Sequence, residues 1–436
     1  MAWWMKKPVA EQLGSVLFPA KWPWRLEDFA FEKKGIEVGR VVAASDHRHW
    51  SAELVHPVWG SAAIRALPDG PMPDRILIDV DPRLTDDEKA AIVQAGSSVV
   101  LSAGARDGNV LTDRKKFLRF LHAAMGADGL AVVDHTAQAF WSPAGLEDEL
   151  SHDADLDIDA IYTMHVLGDE ANGGAYWQHS HGLKEIGFWD FDILDPAEEL
   201  SGLYHDLARL IAFGVVEERF KLGGDPFEII RGVEVVAVPA REFSERAPKG
   251  EYARYRRDQD EEHREGHGVV CEPRARGFMS RLHGGDRPRA SRFLQGPFPE
   301  EVLIPFSVGA GELMARRAAQ MLPLLRGLVD ELADREVMPL VKLGYVTDGG
   351  GPDDREHLWF EVHGFRGNDV DATLINQPFN VARLQKDQRG LYPLDLLSDW
   401  SILTPFGTID PRQTRTLRNL RANIDRLPAR GSAAPA

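Results

Sequence analysis

Apolar spacing constrains this chain most: short β-branched runs alternate with stretches whose apolar residues recur every three or four positions, and none nears the roughly eighteen apolar residues of a membrane helix. Residues 75–80 (RILIDV) have the composition of a strand. They lead through Asp81 to Thr85 with Glu88 three residues on, the spacing of a capping box, and so to a helix ending before Gly96. Strands are predicted at 39–44, 98–102 and 130–133. Between the last two lies a helix over 113–125, with Phe117, Phe120, Leu121 and Ala124 on one face. Further strands are predicted at 160–167, 176–179 and 227–238, and a helix near 196–213. Runs of this kind predict an α+β fold whose N-terminal mixed sheet-and-helix domain covers residues 35–240.

The flanks differ in composition. Residues 1–34 carry Trp3, Trp4, Trp22 and Trp24 among prolines and read as an irregular, Trp-rich arm. Residues 241–297 crowd charges such as Glu251, Arg254, Arg256, Arg257 and Asp258 and thin out their apolar positions, which predicts a charged connector. A smaller C-terminal α+β domain is expected over 298–428. It has a long helix bearing Met314, Ala318, Met321, Leu325, Leu328 and Leu332, which Pro323 should kink or divide. Strands at 340–346, 357–362 and 373–375 follow. A closing helix carries Leu417, Leu420, Ile424 and Leu427, and residues 429–436 are expected to be a disordered tail.

One cysteine, Cys271, in 436 residues excludes an internal disulfide and any cysteine-built zinc or iron–sulfur site within one chain. With no signal-peptide pattern, a cytoplasmic location is the expectation, without a membrane partner. A net charge of -17 disfavours nucleic acid and favours a basic protein partner.

The common catalytic signatures (nucleophile elbow, P-loop, His-Glu-x-x-His, dinucleotide fingerprint) are missing from the sequence. Two His-x-His pairs stand out: His47 with His49, and His179 with His181. On a strand, residues i and i+2 share a face, so each pair could offer two imidazoles to one ion. A third ligand would come from His56, Asp190 or Asp192. The set His179, His181 and Asp190 defines a candidate zinc-type hydrolytic site, in which a metal-bound water replaces the nucleophile that no serine or cysteine supplies. Apart from that reading, no cofactor is expected. Asp153, Asp155, Asp157 and Asp159 alternate with Ala154, Leu156 and Ile158, as a solvated acidic strand or a surface for a basic partner would. The arginines from Arg274 to Arg292 read as a salt-paired part of the connector.

The C-terminal landmarks Glu356-His357-Leu358-Trp359-Phe360-Glu361-Val362, Leu374-Ile375-Asn376-Gln377-Pro378 and Ser398-Asp399-Trp400 resemble the domain of unknown function found in YegJ-like bacterial proteins. In place of that family's Gly-Asp pair the chain has Lys386-Asp387-Gln388-Arg389-Gly390. Ser180-His181-Gly182-Leu183 is similar to a second uncharacterised bacterial family with a Thr-His-Gly-Leu motif. Neither resemblance implies a chemistry. Some relatives of these families accompany bacterial toxin–immunity genes, which implies protein binding. The leading expectation is therefore a non-catalytic binding protein, adaptor- or immunity-like, with Trp359, Asn376, Pro378, Asp399 and Trp400 lining a recognition groove and Asp155 and Asp157 forming an acidic surface. The alternative is the metal-dependent hydrolase.

Overall fold

The computed structural model describes residues 11–19, 25–43, 49–66, 72–81, 83–104, 110–168, 175–196, 202–273, 287–296, 306–352, 354–405, 407–413, 416–417, 420–421 and 423–429. The four arm tryptophans, His47, Arg274 and the stretch after residue 429 lie outside them. The fold is α+β. Its chain divides into two compact units: Met1–Leu146 with Ile158–Phe306, and Glu147–Asp157 with Ser307–Ala436.

The first unit holds two sheets. Strands β1 (Gln12–Phe18), β2 (Glu37–Ala43), β3 (Trp50–His56), β4 (Gly60–Ala66), β5 (Ser97–Ala103), β6 (Ala131–Asp134) and β7 (Ala139–Trp141) form an antiparallel sheet in the order β2-β3-β4-β5-β1-β6-β7. The expected irregular arm is corrected here. Within it, β1 sits between β5 and β6 with Val16, Leu17 and Phe18 buried, because its apolar run can be satisfied only in the sheet interior. Helices α1 (Arg75–Val80), α2 (Asp86–Val93) and α3 (Val110–Met125) accompany this sheet. Gly14 lets α3 approach β1, since a Cβ there would stand 2.8 Å from Leu121.

Residues 75–80 are a helix, not a strand. Asp74 caps it by accepting a bond from the Ile76 amide, and β5 already has β4 and β1 as neighbours, so no sheet edge remains beside it for this segment. The capping box at Thr85 and Glu88 forms as the spacing predicts.

After α4 (Pro143–Leu150), strands β8 (Thr163–Gly168), β9 (Ala175–His181), β10 (Asp190–Leu194), β11 (Phe227–Ile230), β12 (Val233–Pro239) and β13 (His267–Cys271) build a second sheet, ordered β11-β12-β13-β10-β9-β8. Among these described strands, β10 and β13 are the pair that runs in parallel. Helix α5 (Gly202–Val216) lies between β10 and β11 in sequence.

The charged connector expected at 241–297 is likewise corrected. Its described part holds α6 (Ala240–Arg246), α7 (Ala253–Asp258), α8 (Glu261–Arg264) and the fully buried β13. Its charges lie on helix surfaces, while Phe243, Tyr255, Val269 and Cys271 pack in one core with Trp177.

The second unit is one antiparallel sheet of β14 (Met338–Val346), β15 (Arg355–Arg366), β16 (Asp369–Leu374), β17 (Arg389–Pro393), β18 (Leu397–Thr404) and β19 (Gly407–Ile409), ordered β17-β16-β15-β14-β18-β19. Helix α9 (Val308–Val329) packs Ala318, Met321, Leu325 and Leu328 against Val341, Phe360 and Trp400. It runs undivided through Pro323. Of the expected closing helix, residues 416–417 and 420–421 are helical, Leu417 and Leu427 are buried, and Ile424–Arg426 forms a 3-10 turn.

Candidate metal centre

The β8–β9 pairing sets Thr163 opposite His181 and His165 opposite His179. Because alternate residues of a strand share a face, these four side chains stand together on one face of the sheet. The rings of His165 and His181 are 4.7 Å apart, as are those of His179 and His181. Two further imidazoles arrive from the segment read from sequence as a connector. Asp260 caps α8 by accepting the His263 amide, which fixes the turn carrying His263, and β13 opens with His267. The His263 ring lies 4.9 Å from His179 and 5.0 Å from His267.

Two overlapping sets result: His165, His179 and His181, and His181, His263 and His267. Within each, one ligand atom per residue lies within 4.8 Å of the others. His179, His181 and His267 are buried, and His165 and His263 are half-buried.

Hydrogen bonds orient these rings. Asp192 faces His267 Nδ1 at 3.1 Å, and Asp260 faces His263 Nδ1 at 2.7 Å. An ionised carboxylate only accepts, so Nδ1 carries the proton and Nε2 keeps the lone pair in both rings, the arrangement found in carboxylate–histidine–metal triads. Asp192 is itself held: Tyr255 Oη donates to it at 2.7 Å, Gln259 Nε2 donates to Tyr255 at 2.9 Å, and Ser244 Oγ donates to Gln259 at 2.7 Å. Trp177 stands edge-on against Tyr255 and His263 and forms an apolar wall. Gly182, at φ +123°, turns the chain just after His181, where a Cβ would stand 2.5 Å from the Ile161 carbonyl.

Buried nitrogens remain over. His179 Nδ1 and His263 Nε2 have no hydrogen-bond partner, although buried polar atoms normally do. Burial, reinforced by the neighbouring imidazoles, pushes His179 far below the usual histidine range and His181 down to about 2. Burial and then the Arg83 charge lower His165 as well. These rings are neutral at neutral pH, the form that binds metals. The bond to Asp192 and its charge raise His267 against the opposing effect of burial.

An all-imidazole set suits zinc, copper, nickel or iron(II) and is too soft for calcium or magnesium. Three imidazoles on one ion leave a position for water.

The expected third ligand, Asp190, is used elsewhere. It accepts bonds from Ser180 Oγ at 2.6 Å and from the amides of Leu183 and Lys184, closing the turn between β9 and β10. Asp192 supports His267, while His56 stacks on Trp59. His165, His263 and His267 were missed from sequence. The four-residue spacing of His263 and His267 was a usable signal, hidden by the charges around it.

The C-terminal candidates do not converge on a groove. Val341 pairs with Phe360 and Trp400, whereas Lys342 pairs with Trp359 and Asp399, so the pleat puts the two tryptophans on opposite faces. The buried Trp400 donates its indole N–H to the Ala318 carbonyl of α9 at 3.0 Å. Trp359 lies under the Lys342 ammonium, 5.3 Å from the ring centre, and its amide donates to Asn376 Oδ1 at 2.7 Å. Pro378 is half-buried in the loop that follows. Asp399 accepts the Trp400 amide, and burial, then the nearby Asp410 charge, pushes its carboxyl up to about 6.

The Asp153–Asp159 run is not a strand. Ala154, Leu156, Asp157 and Ile158 are buried, Asp155 lies 3.8 Å from Arg316, and Asp159 lies 3.1 Å from Arg209.

Fold and site together define a multi-sheet α+β protein with a buried polyhistidine cluster. Residues 331–421 match the family described as "Uncharacterized protein conserved in bacteria (DUF2314)". That segment runs from β14 to β19, contains all three C-terminal landmarks, and excludes the histidine cluster. The expected kinship of the C-terminal segment with a bacterial domain of unknown function is thereby shown. No curated protein and no solved structure matches the chain. No helix among the described residues is long and apolar enough to cross a membrane.

Proposed function

We propose that the first unit carries a transition-metal centre, with zinc the foremost candidate, and that the protein is a metal-dependent hydrolase. One observation carries this reading: five imidazoles from three separate stretches of chain converge in a buried site, and two of their nitrogens have no hydrogen-bond partner. Burying such an atom unsatisfied costs on the order of 1–3 kcal/mol, a cost that its coordination to an ion would remove. A bound ion would supply a water of near-neutral pKa as the nucleophile.

The adaptor- or immunity-like reading has less support. Its acidic surface has Asp157 buried and Asp155 and Asp159 beside arginines. What favours it is Phe379, 85% exposed, in a loop where Glu356 holds the Phe379 and Asn380 amides.

The test is metal analysis of untagged protein after zinc loading and dialysis. Wild type is expected to retain about one equivalent, and His181→Ala, which removes the residue common to both sets, to retain none while keeping its circular dichroism. Zinc retained equally by both proteins, or by neither, overturns the reading.

A further inference from the structure

We infer that the substrate of this centre is a phosphoester and that Arg83 receives its phosphoryl oxygens, an inference that rests on the metal reading above. Arg83 belongs to the turn before α2, and its guanidinium is already built into place. The buried Asp81 accepts from Arg83 Nε at 2.9 Å and from Nη2 at 2.6 Å, and Asp81 also accepts the backbone amides of Arg83 and, in β7, Phe140. Nη2 reaches Thr163 Oγ1 at 3.5 Å.

Thr163 is the register partner of His181 and shares a face with His165. The guanidinium therefore lies beside the imidazoles, on the face where they converge. Its Nη1 has no hydrogen bond within the protein among the described residues, and its side chain is 36% exposed.

A metal–oxygen bond, the edge of a phosphate and one N–H···O bond together span roughly 7 Å, the separation that one phosphate would bridge between a bound ion and the guanidinium. A guanidinium presents paired donors that match phosphoryl oxygens, and fixing it with Asp81 in advance lowers the ordering cost on binding. Asp81 balances only one charge, so a dianionic phosphate would still meet the net charge of the ion beyond it.

The test uses zinc-loaded full-length protein and two probes, inorganic phosphate and acetate, with binding measured by calorimetry and zinc content measured on the same samples. Wild type should bind phosphate more tightly than acetate. Arg83→Gln should keep its zinc and lose at least tenfold in phosphate affinity, with a smaller change for acetate. Arg83→Lys, which retains the charge without the fork, should fall between them and guards against misfolding when Asp81 loses its partner. Unchanged phosphate affinity in Arg83→Gln with zinc retained, or an acetate preference in wild type, overturns the assignment of Arg83 while leaving the metal centre standing. Wild type that holds no zinc overturns the metal reading itself.

Discussion

The histidine cluster of the β8–β13 sheet and the buried Arg317 of the C-terminal unit meet their hydrogen-bonding needs in opposite ways. Every nitrogen of the buried Arg317 of α9 has a partner: Glu149 takes both terminal nitrogens at 3.0 and 2.8 Å, and the carbonyls of Asp155 and Pro411 accept at 3.1 and 3.2 Å. In the histidine cluster, five groups of one kind face one another, and carboxylates satisfy only the outward nitrogens of His263 and His267. A polar group that completes its bonds inside the protein explains itself by folding. Groups whose free atoms converge call for something from outside.

The comparison can be broken most severely at Arg317. Arg317→Ala removes both guanidinium bonds from the buried Glu149, and chemical denaturation should show a loss of about 3–5 kcal/mol. A loss below about 1 kcal/mol would mean that the pair is no more than a surface contact.

Next in size is Tyr255→Phe, which removes the donor that steadies Asp192 behind His267. Zinc affinity should drop about 10- to 100-fold, as for other groups standing behind metal ligands. Competition with a chelator measures it, and unchanged affinity would confine the ion to the His165, His179 and His181 set.

The smallest effect concerns Asp399. A carboxyl raised to about 6 in the fold favours its protonated form there, so its contribution is present below the ordinary aspartate pKa of about 3.9 and is lost as pH rises through about 6. Asp399→Asn keeps an acceptor for the Trp400 amide and should therefore stabilise the protein at pH 8, by at most about 3 kcal/mol. The gain should vanish near pH 4. Thermal unfolding across that range checks the slope, and a gain independent of pH would assign the effect to packing.

Much of this was legible in the sequence wherever local pattern and tertiary demand agree. The apolar face of α3, the capping box of α2 and the alternation of β15 all appear where periodicity puts them, since each buries one face against a neighbour. Residues 75–80 were misread because β-branched composition reports a preference, and both sides of β5 were already taken by β4 and β1. The His179 and His181 pair was visible from its spacing of two. His165 was not, because a cross-strand partner depends on the register between two strands and not on spacing along one of them. His263 and His267 were lost to averaging: a window dense in Arg and Glu looks solvated even when the five residues that follow it are buried.

Glu147–Asp157 lies far upstream of the family segment, yet it belongs to the C-terminal unit and supplies Glu149 to Arg317. The stretch that evolution copies as a recognisable sequence, residues 331–421, is thus smaller than the piece that folds. Any gene that inherited the α9–β19 region without the upstream strip would receive a buried cation orphaned from its counter-ion. Lineages in which this region stands alone should have met that need in one of two ways, by an apolar residue where Arg317 stands or by a carboxylate that takes the place of Glu149. A survey of domain arrangements would read that history directly from paired substitutions.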